Sequence, residues 1–483
     1  MRSYRFKRLG RTALAAAATV LLVSGCDFLD PTNVTNPNTT TEDLAAAAEP
    51  TTALLPGLRA QTARAVRAVV QTSALLSDDF EIAFTNVGPE LSDPYQLSPD
   101  GASYNTTGGI GAYWNTQELR ALADFVIDSI APEDEGATDE QLAEARYYRG
   151  MAYLLQGENF IAVPTGPDQE PTAWDGLLTR AASDFSAARG LTAEAEREVA
   201  LLAALARTHR ALGNVGDARG FAEDALAADP EFVTLQNYSA GELENPFSTE
   251  TRTFQPLPRL DFLDPKYTSR GESIPVAKAE EMHLILAEAD MADGSYGDAA
   301  ERIADAVRLA GDRPTEEFND PDERLNPNLT DRPSSSDMLV AAEDGAPLRA
   351  GLVLDRPGTV TMPIISGTSL DADSVEALTD PQEIRHAFWL ARQEILFLEG
   401  RRVHDLGVRM PVSQREINTN GTVSDGDDVA VVDVPDYIPP DIMDDFSPRD
   451  PYEAGSNEIT IAIDMNRVLA EELVSPLGPL PSG

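Results

Sequence analysis

Residues Arg385 to Met410 read RHAFWLARQEILFLEGRRVHDLGVRM and carry the strongest helical pattern in the chain. Phe388, Trp389, Ile395, Leu396, Leu398, Val403 and Leu406 give a wide apolar face, with Arg392, Glu394, Glu399, Arg402 and Asp405 interleaved among them. Such a helix is buried or half-buried and must settle its charges internally. Glu399 and Arg402 stand at i and i+3, as do Arg402 and Asp405, so the spacing predicts pairing within the stretch. Gly400 costs about 1 kcal/mol of helix propensity, which marks a helix end or a close backbone approach. The five charged residues are read as a structural cluster, since an ion-pair network uses the same residue types that catalysis would.

Leu396, Leu398-Glu399-Gly400, Arg402 and Asp405-Leu406 resemble the R-x-E-L-x-F-E-G-x-R-x-x-D-L helix near the C-terminal end of the SusD/RagB family of outer-membrane nutrient-binding lipoproteins. Leu398 replaces the usual aromatic, Ile395 the first Glu and Gln393 the first Arg. Further matches are scattered over the chain. Ala145, Arg149, Gly150, Tyr153 and Val163-Pro164 resemble the family's A-x-x-x-R-A-x-x-Y…Y-G-D-V-P segment, with Ile161 in place of its glycine, and Ser77-Asp78-Asp79 resembles its S-D-acid helix ending. The resemblance implies a mostly α, SusD-like fold: a tetratricopeptide-like helix-pair scaffold with long irregular loops and a few short strands. It also implies a non-enzymatic, cell-surface lipoprotein without cofactor, which binds an oligosaccharide or other oligomeric nutrient and delivers it to a SusC-like TonB-dependent transporter.

The N-terminus fits an exported protein. Residues 1–25 contain Arg2, Arg5, Lys7, Arg8 and Arg11 followed by the apolar run Ala13 to Val23, which has the layout of a secretory signal and is too short to span a bilayer. The run ends Val23-Ser24-Gly25-Cys26, which resembles a lipobox. Cys26 is the only cysteine, so it has no intramolecular disulfide partner and is the expected lipidation site. Acyl chains there would anchor the protein to a lipid bilayer at about 0.8 kcal/mol per buried CH₂. Cys26 to Asp30 also has the C-x-x-L-D order common in the family, and the polar residues to Thr41 read as a tether. The expected organisation is a signal peptide over 1–25, a lipidated tether over 26–41 and a SusD-like domain over 42–483.

The net charge of −44, about −49 once the signal's five cations are removed, argues against nucleic acid or anionic lipid headgroups as partners. Lysine occurs only at Lys7, Lys266 and Lys278. An acidic, lysine-poor composition fits a saline habitat or a GC-rich genome and says nothing of the ligand.

Within the domain, Leu44 to Leu76 is alanine-rich and helical in pattern, with interruptions expected near Pro50 and Pro56. Phe84 to Tyr113 reads as a long loop, Trp114 as the opening of a helix through Ile130, and Gln141 to Gln156 as a further helix. Ala206 to Ala218 and Ala287 to Ala299 repeat one separation, with Gly213 and Gly294 each seven residues after the first alanine, where a first helix must end. That is the spacing of tetratricopeptide helix pairs. Residues 236–275, 314–371 and those after Pro411 are rich in Pro, Gly and Asp, with β-prone runs at Val429 to Val434 and Ile459 to Ile463.

No constellation for catalysis emerges. His209, His283, His386 and His404 lack metal-ligand spacing, and no phosphate-binding glycine motif follows a strand. Carboxylates are too abundant for any glycosidase pair to be informative. Asp425-Gly426-Asp427-Asp428 lacks the order of a calcium loop and reads as a solvated turn, so no metal is expected. For ligand binding, flat aromatic surfaces on loops beside hydrogen-bonding groups are required. Asp79, Tyr95, Tyr104, Tyr113 and Trp114 offer these, and a long loop joining two helices is a common place for them. The alternative to nutrient capture is a periplasmic tetratricopeptide-type lipoprotein scaffold for protein assembly.

Overall fold

In a computed structural model, residues 49–81, 93–102, 111–248, 255–320, 332–356 and 358–482 are described. Cys26, Tyr104, the signal, the tether and most of the 84–113 loop lie outside them. Helices dominate, as expected. The longest is α1 (Pro50–Leu75), followed by α2 (Ala112–Asp124), α3 (Asp139–Asn159), α4 (Trp174–Arg189), α5 (Ala195–Ala211), α6 (Val215–Ala228), α7 (Ala279–Ala292) and α8 (Tyr296–Asp312). From α2 to α8 each helix packs against the next in sequence, and α8 passes the array on to α9 (Pro381–Ile395).

Local chemistry sets these boundaries. α3 opens on a reciprocal capping box, in which Thr138 accepts from the Gln141 N–H and Gln141 reaches back to Thr138. At α9, Asp380 caps the Gln382 N–H and Pro381 takes the first turn, where its missing donor costs nothing. α5 and α7 both end just before a glycine at φ +77°, Gly213 and Gly294, so the two repeats turn alike. Asn214 and Ser295 then donate to the carbonyls of His209 and Asp290, closing each helix. Pro56 lies inside α1 without breaking it.

The strands are short and lean on the helices, because isolated two-stranded ladders are marginal in water. β1 (Phe80–Glu81) pairs with β5 (Gln255–Pro256), β2 (Ala162–Pro164) with β3 (Pro171–Ala173), β4 (Val233–Gln236) with β6 (Ile274–Lys278), and β7 (Thr315–Asp320) with β9 (Gly358–Pro363), all antiparallel. β8 (Leu339–Ala341) runs parallel to β11 (Glu458–Ile461), which is antiparallel to β10 (Phe446–Ser447). The run Val429 to Val434 is not a strand. It forms a 3₁₀ turn at Asp428–Ala430 and one bridge from Asp433 to Arg409, because no partner strand runs beside it.

The stretch 385–410 is buried but is not one helix. α9 stops at Ile395, Leu398 and Gly400 take φ of +56° and +77°, and the short α10 (Arg402–Asp405) resumes. A Cβ on Gly400 would lie 2.9 Å from Val70 Cγ1 and 3.2 Å from Val70 Cα, so the glycine permits the close approach of α1. Phe388, Trp389, Ile395, Leu396, Leu398, Val403 and Leu406 are each at most 3% exposed. Residues 51–483 form one compact unit that has this stretch in its core.

Candidate functional site

Arg392 and Asp405 meet within the stretch, and its other charges pair with distant segments. The expected Glu399–Arg402 and Arg402–Asp405 salt bridges do not form among the described residues: Glu399 lies in the break before α10, and Arg402 and Asp405, though on one helical turn, are each taken by other partners. Arg402 instead forks onto Asp78 at 2.6 and 2.7 Å, and Arg259 adds a third bond to the same carboxylate at 2.6 Å. Asp405 takes Arg392 at 2.8 Å and Arg210 at 3.1 Å. Glu399 Oε1 receives Lys266 at 2.6 Å and Lys278 at 2.5 Å. Glu394 forms no salt bridge among the described residues and accepts from Thr368 Oγ1, Ser369 N and Ser369 Oγ, each at 2.7 Å. All of these are buried, so the cluster fastens loops to the core and offers solvent no surface.

Asp79 lies inside this lattice, 4% exposed, with Gln393 Nε2 donating to it at 3.1 Å. Burial and then the neighbouring Asp78 charge push its carboxyl up to about 7. Tyr113 is fully buried, edge-on to Phe160 and to Trp114 with ring centroids 5.3 and 5.4 Å apart. Both were expected at a ligand surface, and both pack the interior as found.

Tyr95 and Trp114 do reach the surface. Tyr95, 42% exposed, sits in a 3₁₀ turn capped by Asp93, and its hydroxyl donates to Ile438 O at 2.7 Å. Trp114 is half-buried near the start of α2, with the Arg415 guanidinium 4.9 Å from its ring centroid. The sequence reading missed the segment that brings them together. Met410 donates to Asn159 O, Ile161 donates to Met410 O and Trp174 donates to Ile161 O, so the chain after Arg409 runs alongside the end of α3 and the start of α4. Arg409 thereby stacks 4.2 Å from the Trp174 ring centroid, and Tyr437 donates to Leu406 O at 3.0 Å. Trp174, like Trp114, is one of three tryptophans and stands at a helix start, a signal that sequence alone offered.

Tyr95, Trp114, Trp174 and Tyr437 are thus four partly exposed rings set along the 409–438 segment at loop and helix-start positions, a candidate aromatic face with Arg409 and Arg415 against two of the rings. Flat π surfaces bordered by guanidinium and carboxylate groups can stack on polar rings and hydrogen-bond their edges. A broader concavity of about 810 Å³ lies where α1, α3 and α5 meet the 234–239 segment. It carries Tyr147 and Tyr148, a bidentate Arg59–Glu144 pair at 2.6 and 2.9 Å, and further acids at Glu194, Glu196 and Glu242.

Among the described residues no three His, Cys, Asp or Glu side chains converge as a metal site would require. His386 bonds Asp464 at 2.9 Å, and burial pushes His404 down to about 4. The acidic turn at 425–428 is closed by its own bond from Ser424 N to Asp427.

Among solved structures, the chain is similar to a SusD-like carbohydrate binding protein from Bacteroides vulgatus at 12% identity and TM-score 0.46, covering 74% of this chain and 83% of that one. For a SusD superfamily protein from Bacteroides thetaiotaomicron the values are 12%, 0.48, 74% and 87%. Bacteroides fragilis NanU matches over 80% of this chain and 98% of its own at 11% identity and TM-score 0.50. The fold is SusD-like. No protein-family model matches the sequence, and no curated protein matches it. The helix pairs α5–α6 and α7–α8 form the repeated scaffold, and the four rings stand on loops and at the starts of α2 and α4.

Proposed function

We propose that the chain is a lipid-anchored outer-membrane protein that captures a glycan or other oligomeric nutrient and passes it to a SusC-like TonB-dependent transporter, without catalysing a reaction. The observation that carries the reading is the candidate aromatic face, four half-buried or exposed rings at loop and helix-start positions along the 409–438 segment of a SusD-like fold. The lipobox-like end of the N-terminal apolar run supports the anchor, and the SusD/RagB-like helix around Glu399 supports the transporter partner. Among the described residues no helix is long and apolar enough to cross a membrane; in this proposal the chain is attached through acylated Cys26.

The test is a glycan array followed by calorimetry on single-ring variants. Trp114→Ala and Tyr95→Ala should weaken binding by about tenfold or more with little change in melting temperature, as expected of contacts that act on affinity. Unchanged affinity in both would remove the site from this face. The periplasmic scaffold reading is favoured only by the open cleft over the helix pairs. It predicts instead that Tyr148→Ala disrupts copurification with assembly machinery while glycans do not bind.

A further inference from the structure

A smaller pocket lies elsewhere, lined by none of the residues of the aromatic face. Arg259, in the 3₁₀ turn Pro258–Leu263, is 5% exposed. Its Nη2 is committed to Asp78, but its Nε is buried without a hydrogen-bond partner. Arg259 lines a pocket of about 130 Å³ to which Val340, Leu352 and Leu390 contribute apolar lining and Arg349, Arg467 and His386 contribute donors.

Three acids also line it, and each is already occupied. Glu394 accepts three bonds from Thr368 and Ser369. Asp464 bonds His386 at 2.9 Å and caps the Asn466 and Arg467 N–H groups of α11 (Met465–Glu471). Glu343 is paired with Arg467 at 3.3 Å. On the donor side and among the described residues, Arg349 hydrogen-bonds Ser369 through Nη2 with its charge also felt by Glu394, and the Arg259 Nε has no hydrogen-bond partner. Acids outnumber bases 81 to 37 over the chain, so a pocket whose unused capacity is cationic donors inverts the local rule. A buried, unmet guanidinium N–H is costly, and a charged acceptor relieves it better than a neutral one. Burial also pushes the Glu394 carboxyl upward, which reduces its repulsion of an entering anion.

We propose that this pocket binds a small carboxylate, its anionic end received by Arg259 Nε and the Arg349 guanidinium and its short apolar body set against Val340, Leu352 and Leu390. The volume matches that of about four waters at roughly 30 Å³ each, which admits an acid of about two to four carbons. Occupancy bridges the β8 region, the Arg259 turn and α9, and so reaches the Asp78–Arg402 link through Arg259.

The probes are propionate and its neutral isostere propionamide, titrated into the full chain by calorimetry and followed by melting temperature. Propionate should bind and raise the melting temperature while propionamide does neither. Arg349→Gln, at an exposed rim position, should weaken propionate by about tenfold, the loss of one charge-assisted contact. Leu390→Phe should fill the pocket and abolish binding. Equal binding of the amide overturns the proposal, as does propionate binding that neither variant alters. Absence of any propionate heat or stabilisation, with the pocket holding water only, overturns it as well.

Discussion

At the scale of single residues, Glu399 shows how much depends on one carboxylate. Its Oε1 serves two buried lysines at once, and removing it leaves both ammonium groups in the core without their charge partner. Breaking a buried pair by deleting one member costs roughly 3 to 5 kcal/mol, against about 0 to 1 for an exposed pair. Glu399→Ala should therefore lower stability by several kcal/mol in a denaturant melt without a specific loss of ligand affinity. A near-zero shift would contradict the burial. Asp79 gives a pH-dependent case. Its folded value is about 7 against an ordinary value near 3.9, so the folded chain holds the extra proton between those limits. The stability this contributes is complete below about pH 4 and is lost as pH rises through 7. His404 has the opposite sign over part of the window, since its proton is disfavoured on folding. The comparison must therefore be with Asp79→Asn, which should match the parent near pH 4 and exceed it at pH 8 by about 1 to 4 kcal/mol. A constant difference across that range would refute the shift. Asp79 and Tyr113 were legible as polar and aromatic groups near a loop, but not as buried ones. Their depth is set by Gln393 and Phe160, which lie far along the chain.

At the scale of elements, the sequence exposes what is periodic and hides what is paired at long range. The equal placement of Gly213 and Gly294 foretold two helix ends with the same left-handed turn, because that conformation is a local property of the chain. The break in the 385–410 stretch was marked by Gly400, yet the partners of Arg402 and Asp405 were not, because Asp78 and Arg210 come from segments far along the chain that local spacing does not reveal. The two kinds of glycine should separate on substitution. Gly294→Ala meets nothing within 4 Å and carries only the strain of φ +77°, about 1 to 2 kcal/mol. Gly400→Ala has the same φ and in addition drives a methyl against the Val70 backbone, so it should cost about 1 to 3 kcal/mol more. Equal losses in thermal melts would mean that α1 yields to the added methyl.

At the scale of the whole molecule, the scaffold and its loops divide the labour in a way the sequence shows only in part. The helix pairs were readable from small-residue spacing. The aromatic face was only half readable, because its segments are joined by bonds between residues far apart in the chain, such as the Tyr95 hydroxyl to Ile438 O and the Met410 N–H to Asn159 O. Attachment to the membrane belongs to this scale as well. Cys26→Ser should move the protein from washed membranes to the soluble fraction, since several acyl chains would be lost together. Retention of the variant in the membranes would remove the lipoprotein reading.

The two lysines held by Glu399 have a practical corollary. Beyond Lys7 they are the only lysines in the sequence, and they are 3% and 0% exposed. Succinimidyl esters need an accessible, unprotonated amine, so the native fold shields both of these positions from acylation. Trypsin likewise finds no lysine to cleave on the described surface. Both positions open only when the core does, so amine labelling at 266 and 278 is a built-in chemical reporter of global unfolding.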